Sequence, residues 1–283
     1  MNKIVVKKTL NSNTTLMTFE APIVTRHCKA GQFVMLRVHE DGERIPLTIA
    51  DFDRATGYVT VVFQQVGKTT HMLGALEQGD TICDVAGPLG VPSHLDGIKR
   101  ACVVGGGLGC AIAYPQAKTL FESGAKVDII AGFRSADIVF FEDEMRAASD
   151  RLFVMTDDGS NGHKGFVTQA LKEQLDAGVK YDTVIAIGPL MMMKAVSELT
   201  RSYNIHTIVS MNSIMIDGTG MCGGCRVTVG GETKFACVDG PDFDGHQVDF
   251  ESANVRGRMF QKEEKEAVER HACRLEGMQG GAQ

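Results

Sequence analysis

The sequence has no excess of basic residues, which argues against a nucleic-acid-binding protein. Its 283 residues include 29 Lys and Arg against 35 Asp and Glu, so the formal net charge is −6 at pH 7. Proteins that bind phosphate backbones usually carry a basic excess. We therefore expect no nucleic-acid partner.

The sequence also lacks the apolar segments that membranes and secretion require. No stretch reaches the roughly 18 consecutive apolar residues of a membrane span, and residues 1–15 contain no apolar core of a signal peptide. We therefore expect a soluble, cytoplasmic chain with no membrane partner. In a reducing compartment a disulfide framework is not expected, so the grouping of Cys222, Cys225 and Cys237 indicates a metal site.

Common hydrolytic signatures are missing as well. The eight histidines form no pair with metal-ligand spacing, and the chain contains no nucleophile elbow and no paired-carboxylate motif. No internal repeat is present. Hydrolase functions therefore find no support in the sequence.

What is present divides the chain into segments of different pattern. Residues 1–97 contain short β-patterned runs between Gly- and Asp-rich turns, which predict an antiparallel barrel. Residues 98–210 alternate apolar runs with helical stretches, which predicts a parallel α/β sheet. Residues 211–250 are rich in Gly, Asp and Cys, contain one clear strand pair, and need a metal to fold. Residues 251–283 predict an exposed charged helix over 259–275 and a disordered GMQGGAQ tail.

A glycine-rich turn marks the first strand of the α/β segment. In VVGGGLG an apolar strand leads through Gly105, Gly106, Gly107 and Gly109 into a helical run. There the backbone can approach a pyrophosphate, and the helix N-terminus offers amide donors. The alternative is a close strand-to-helix crossing that binds nothing.

The next two strands end in polar loops that would lie at the same edge of the sheet. GFRSAD holds Arg134 and Asp137, and an acid there favours NAD whereas an Arg accepts the 2′-phosphate of NADP. The sequence leaves that choice open. TDDGSNGHKG places Asp157 beside them, although Asp157 or Asp158 could equally cap a helix.

Two motifs stand out within the barrel segment. RIPLTI provides an Arg beside a strand, and GKTTHML opens a helix that suits a phosphate. A surface charge and an ordinary N-terminal cap are the competing interpretations. The predicted cofactor contacts of this segment are Arg44, Pro46, Leu47, Thr48, Gly67, Lys68, Thr69 and Thr70.

The most specific signal is DGTGMCGGC followed by FAC. Asp217, Cys222, Cys225 and Cys237 reproduce the C-x4-C-x2-C…C spacing of plant-type ferredoxins, with Asp217 in the first ligand position. The glycines between them permit the tight wrap of a loop around a 2Fe-2S cluster. Zinc sites usually offer two C-x2-C knuckles and only one is present, but zinc and unligated structural cysteines remain alternatives.

In this order of segments the chain resembles the ferredoxin-NADP reductase superfamily over residues 1 to 250. Within it, the chain is similar to small subunits of NADH-dependent reduced ferredoxin:NADP oxidoreductases, also described as sulfide dehydrogenase subunits. The electron-transfer subunits of dihydroorotate dehydrogenase come next. Both share the cluster loop and the trailing DGPDF of residues 239–243. The dihydroorotate subunits carry four cysteines, whereas Asp217 matches the ferredoxin:NADP subunits.

The resemblance implies FAD in the barrel, with Arg44 and Thr70 near its phosphates and Thr48 near the isoalloxazine. It implies NAD(H) at the glycine-rich turn and beside Gly188 and Pro189. Many relatives have a Cys before that Gly-Pro pair, but this chain has Ile187. No protein acid or base is then required for the chemistry.

The resemblance also implies a heterodimer. The partner would be a larger iron-sulfur flavoprotein at which ferredoxin and NADP react and electrons are bifurcated. A dihydroorotate-oxidising partner is the second interpretation. A non-catalytic zinc module is the third, and it predicts a colourless protein.

Replacing Asp217 provides a test of the unusual ligand position. We expect Asp217→Cys to assemble a cluster whose reduction potential differs from that of the wild type, because a carboxylate is a harder donor than a thiolate. A redox titration monitored by electron paramagnetic resonance measures the change. An unchanged potential would argue against ligation by Asp217.

Overall fold

The computed structural model describes residues 2–279, and its first part is an antiparallel barrel. Its elements are β1 (Asn2–Asn11), β2 (Thr14–Glu20), α1 (Pro22–His27), β3 (Phe33–Arg37), β4 (Arg44–Asp53), β5 (Tyr58–Gln64), α2 (Lys68–Ala75), β6 (Thr81–Ile82) and β7 (Asp84–Leu89). The strand order is β6-β1-β2-β5-β4-β3-β7. Because β6 and β7 follow each other directly in the chain, the two ends of the sheet meet and the barrel is nearly closed.

Alternation of side chains along the strands explains why this segment folds as a barrel. In β2 and β5 every second residue is buried, and Met17, Phe19, Val59, Val61 and Phe63 fill the interior. A period of two sends these apolar side chains to one face of the sheet. The predicted antiparallel barrel is confirmed.

The second part is a parallel sheet with helices between its strands. Its elements are β8 (Arg100–Gly106), α3 (Gly109–Glu122), β9 (Lys126–Phe133), α4 (Glu142–Ala147), β10 (Arg151–Thr156), α5 (Val167–Asp176), β11 (Thr183–Ile187), α6 (Leu190–Ser202) and β12 (His206–Ser210). The strand order is β10-β9-β8-β11-β12, so the chain adds β9 and β10 on one side of β8 and then β11 and β12 on the other side. A crevice therefore opens beyond the carboxyl ends of β8 and β11, where ligands bind in sheets of this kind. The predicted parallel α/β sheet is confirmed.

The last part combines a small hairpin with a return to the large sheet. Its elements are β13 (Arg226–Val229), β14 (Glu232–Phe235), β15 (Asp242–Asp244), α7 (Phe250–Gly257) and α8 (Gln261–Gln279). β13 and β14 form the expected strand pair. β15 adds an antiparallel strand beside β12. The sequence patterns predict neither β15 nor α7, because both are too short to show a period.

The C-terminal helix differs from its expected bounds. α8 begins two residues later than the predicted helix and continues to Gln279, into the segment expected to be disordered. The rest of that expected tail, residues 280–283, lies outside the described residues. α8 packs beside α2 of the barrel. Among residues 2–279, no helix is both long and apolar enough to cross a membrane.

An ion pair between the buried Asp128 and the partly exposed Arg151 joins the strands at the amino ends of the parallel sheet, opposite the crevice. The carboxylate of Asp128 accepts two hydrogen bonds from Arg151, at 2.8 and 2.5 Å, and one from the Tyr181 hydroxyl at 2.7 Å. Burial alone would raise the pKa of Asp128, but the bonds from Arg151 and Tyr181 outweigh it and lower the pKa. The pair therefore stabilises the fold while Asp128 is ionised.

Removing this charge tests its contribution to stability. We expect Asp128→Asn to lose about 2 kcal/mol of unfolding free energy at pH 7, because the charge-assisted hydrogen bonds from the partly exposed Arg151 are lost. Glu142→Gln, which breaks an exposed pair with Arg146, is the control and should cost about 0.5 kcal/mol or less.

The pH dependence follows from the lowered pKa of Asp128. Its contribution is present above the unfolded pKa of about 4 and is lost as the pH falls through the folded pKa. Urea unfolding at several pH values should therefore show wild type and Asp128→Asn converging in acid. A difference that is independent of pH would contradict this account.

Candidate functional site

A cleft of about 1270 Å³ lies between the barrel and the carboxyl edge of the parallel sheet. Strand β4 forms one wall, and the loops after β8, β9, β10 and β11 form the other. The segment that follows β12 closes one side. The cleft brings together these residues singled out from the sequence: Pro46, Leu47, Thr48, Gly106, Gly107, Gly109, Arg134, Asp157, Gly188 and Pro189.

The glycines of the first turn serve two purposes. Gly107 has φ +54°, and a Cβ there would meet no protein atom within 4 Å, so its backbone is open to the cleft. A Cβ on Gly109 would lie 2.1 Å from the Ile187 carbonyl oxygen, and one on Gly105 would lie 2.8 Å from Cys110 Cα. These two glycines therefore permit close packing of α3 against the sheet. Gly105 does not line the cleft.

The loops after β9 and β10 are tied together at the far end of the cleft. The Asp157 amide donates to the Phe133 carbonyl at 3.0 Å, and Arg134 and Asp157 both line the cleft. The Asp158 carboxylate instead accepts the amide and hydroxyl of Ser160 within its own loop. Asp137 is not among the lining residues. Of Asp137, Asp157 and Asp158, only Asp157 lines the cleft.

Two exposed apolar side chains of the cleft belong to no motif in the sequence and were not predicted. Phe166, immediately before α5, is 67 % exposed, and Met191, in the first turn of α6, is 57 % exposed. Phe166 offers the cleft a flat aromatic surface that can stack on a purine. In the sequence, these two residues could have been found only as large apolar residues at a helix start, where Ser, Thr or Asp is usual.

The remaining barrel residues of the prediction lie outside the lining of the cleft. They are Arg44, Gly67, Lys68, Thr69 and Thr70. Thr70 Oγ1 accepts hydrogen bonds from the amides of Val66 and Gly67, at 3.1 and 2.9 Å, and so caps α2. Val66 itself lines the cleft, which places the start of α2 at the edge of the cleft.

The four expected cluster ligands lie as two pairs. Cys225 and Cys237 are buried, with their sulfurs 3.2 Å apart. Asp217 lies beside the exposed Cys222 in the loop, where Asp217 Oδ2 accepts a hydrogen bond from the backbone amide of Cys222 at 2.8 Å. Within residues 2–270, whose side chains the structure describes, no three His, Cys, Asp or Glu side chains converge on one point.

The positions of these four residues can be compared with the needs of a zinc ion and of a 2Fe-2S cluster. A structural zinc ion requires four ligands around one centre. A 2Fe-2S cluster has four protein ligands shared between two irons, so each iron needs only two of them. The close sulfurs of Cys225 and Cys237 therefore fit one iron of a two-iron cluster, and Asp217 and Cys222 are the candidate ligands of the other.

Glycines let the loop pass closely around these pairs. A Cβ on Gly218, at φ +78°, would lie 2.8 Å from Met35 Cγ. The Gly224 amide donates to the Cys222 sulfur at 3.4 Å. Backbone amides that point at sulfur are among the groups that tune iron-sulfur clusters.

The protonation tendencies of the two pairs differ. Hydrogen bonds from the Thr219 amide, at 2.7 Å, and from Cys222 lower the pKa of Asp217, so its carboxylate is ionised. Burial, together with the neighbouring Cys225, raises the pKa of Cys237 to about 12. A metal that binds Cys237 must therefore displace its proton.

A thin apolar wall separates the cleft from the buried cysteines. Phe33 and Met35 of β3 pack against Cys225 and Cys237. Phe33 also lines the cleft and is the register partner of Thr48 across the β3–β4 ladder. One side-chain layer therefore connects the expected flavin position with the expected cluster.

Two family profiles match the chain. Residues 2–93 match the oxidoreductase FAD-binding domain, and residues 212–249 match the iron-sulfur cluster binding domain of dihydroorotate dehydrogenase B. The predictions of FAD and of an iron-sulfur cluster are confirmed. The zinc-module alternative is not supported.

Full-length relatives give a consistent result. The chain is 45 % identical over 270 residues to a dihydroorotate dehydrogenase B (NAD(+)) electron transfer subunit homolog of Thermotoga maritima, covering 95 % of each chain. It is 34 % identical to the electron transfer subunit of Geobacillus thermodenitrificans, covering 87 % of this chain and 96 % of that one.

A solved structure is similar over almost the whole length. It comes from a study of flavin-based electron bifurcation in the NADH-dependent reduced ferredoxin-NADP oxidoreductase. The two chains share 42 % identity with a TM-score of 0.91, and the match covers 95 % of this chain and 97 % of that one.

Proposed function

Because this chain belongs to the family of electron-transfer subunits that includes those of dihydroorotate dehydrogenase B, we propose that it is the NAD(H)-reacting subunit of an NADH-dependent ferredoxin:NADP⁺ oxidoreductase. The chain is an oxidoreductase that carries FAD and an iron-sulfur cluster. In the proposed complex it exchanges hydride with NAD(H). It then passes single electrons to a larger flavin- and iron-sulfur-containing subunit, at which electrons are bifurcated.

The observation that carries the proposal is the position of Phe33. A flavin converts hydride into single electrons, and an iron-sulfur centre carries them onward one at a time. Phe33 lines the cleft and belongs to the apolar cluster that contains the buried Cys225 and Cys237. The exposed Cys222 side of the loop then faces the surface. This order supports a path from the cleft to an exit at Cys222.

The cleft residues would hold the two nucleotides at its opposite walls. Pro46, Leu47 and Thr48 would contact the flavin ring, with Arg44 and the start of α2 nearer its phosphates. Gly106, Gly107 and Gly109 would approach the dinucleotide pyrophosphate. Gly188 and Pro189 would bound the nicotinamide end. These residues bind and orient the nucleotides and exclude water, and none of them needs to transfer a proton.

Asp217 favours the ferredoxin:NADP⁺ complex over a dihydroorotate dehydrogenase. It stands where the dihydroorotate subunits carry a first cysteine, and the structure places it beside Cys222.

An exposed apolar surface surrounds the cluster loop and is the proposed docking site of the larger subunit. Its members on the loop are Ile216, Met221 and Val238, which are 57 %, 88 % and 43 % exposed. Arg256 of α7 donates to the Gly224 carbonyl at 3.1 Å, so α7 lies against the same loop. Exposed apolar groups around a redox exit suit a protein partner that holds the next redox centre.

Nucleotide choice tests the assignment of the cleft. We expect Asp157→Asn to raise kcat/KM for NADPH relative to NADH about fivefold, because removing a carboxylate near a 2′-phosphate relieves about 1 kcal/mol of repulsion. Asp137→Asn, which changes an exposed acid outside the cleft, is the matched control. Equal shifts in both variants would contradict the placement of the adenosine ribose.

Partner capture tests the proposed complex. The chain is purified anaerobically from its native cells, and the co-purifying subunit is identified by mass with its flavin and iron counted. A larger iron-rich flavoprotein supports the proposal, whereas an iron-free FMN partner indicates dihydroorotate oxidation. We expect Met221→Lys to weaken retention of the partner at least about tenfold. Ile23→Lys, at a 73 % exposed apolar residue of α1, is the control and should retain it.

A further inference from the structure

Asp242 occupies the junction of the three parts of the molecule. It lies in β15, which leaves the cluster segment and pairs with β12 of the parallel sheet. Its Oδ2 lies 2.5 Å from the hydroxyl of Ser93, in the segment that follows the barrel. Ser93 Oγ is in turn 3.3 Å from the side-chain amide of Gln116, which is fully buried in α3.

The hydrogen bonds that link Asp242, Ser93 and Gln116 have a direction that is set by the donors and acceptors available. With the amide oriented by its neighbours, the Gln116 nitrogen donates to the carbonyls of Ile112 and Ala113, at 2.7 and 3.2 Å. The Gln116 oxygen then faces Ser93 and needs a donor. Ser93 has only one hydroxyl hydrogen, so it cannot donate to Gln116 and Asp242 together.

A protonated Asp242 resolves the conflict. Its Oδ2–H donates to Ser93, and Ser93 donates to Gln116, so each group in the chain has a partner. Oδ1 of Asp242 is sealed from solvent and has no hydrogen-bond partner among the described residues. A buried oxygen without a hydrogen bond costs far less free energy on a neutral acid than on a carboxylate. Burial also raises the pKa of Asp242, against lowering by Ser93, Ser210 and His94.

The same junction holds β12, which leads into the cluster segment, and β15, which leads out of it. The Met211 amide donates to the Pro241 carbonyl at 2.8 Å, and the Val91 amide donates to the Gly240 carbonyl at 2.6 Å. Ser210, Met211 and Pro241 also line the cleft. The junction therefore sets where the cluster loop stands relative to the cleft.

We propose that Asp242 is a positioning residue, held as a neutral carboxylic acid, that fixes the cluster-bearing segment to the barrel and to the parallel sheet through Ser93 and Gln116. It touches no reacting group. Its role is to keep the distance between the cleft and the buried cysteine pair constant.

The test compares Asp242→Asn with Asp242→Ala in the holoprotein. Asparagine is neutral and can donate to Ser93, so we expect it to preserve the thermal midpoint at pH 7 and the slow hydrogen exchange of residues 210–217 and 240–244. We expect alanine to speed exchange in those two segments at least about tenfold. Ser93→Ala should act in the same way if alanine at position 242 prevents folding.

The pH profile distinguishes this role from simple packing. Because the folded pKa is raised, the contribution of Asp242 is complete below the unfolded pKa of about 4 and is lost as the pH rises through the folded pKa. Asp242→Asn should lack this loss of stability. His94→Gln, which removes the titratable side chain facing Asp242, should retain it. If Asp242→Asn is as destabilising as Asp242→Ala, or keeps the wild-type pH profile, the proposal is wrong.

Discussion

Phe33 and Met35 stand between the cleft and the paired thiols of Cys225 and Cys237, and the other parts of the structure depend on this wall. The barrel supplies the wall from β3, and the ladder to β4 places Thr48 directly beside Phe33 on the same face of the sheet. The cluster segment must then fold tightly against β3. A polar or thicker layer at this point would separate the cleft from the loop that carries the metal ligands.

Backbone geometry makes this close arrangement possible. Gly218 lies so near Met35 that a side chain would displace the wall. Gly109 allows α3 to start against the carbonyl of Ile187, which brings the glycine-rich turn to the edge of the cleft. Phe33 and Met35 share the outer face of β3, since Val34 and Leu36 fill the barrel interior. The two sites therefore meet at one face of β3, and both approaches depend on the absence of a Cβ.

Much of this arrangement could be read from the sequence, because strong periodic patterns and ligand spacing are local signals. The period of two predicted the barrel, and the spacing of Asp217, Cys222 and Cys225 predicted the cluster loop. β15 and Asp242 could not be predicted, since three residues show no period and their partners lie far away in the chain. Similarly, Thr70 fits a phosphate site and a helix cap equally well in the sequence, and only the structure shows that it caps α2.

The central claim is that electrons leave the cleft through the buried cysteine pair. Anaerobic rapid mixing of the holoprotein with NADH, followed by flavin absorbance and by freeze-quench electron paramagnetic resonance, tests it most directly. The account predicts that flavin reduction is followed within the same protein by the signal of a reduced 2Fe-2S cluster. A flavin that is reduced while the cluster stays oxidised, although dithionite reduces that cluster, would contradict the account.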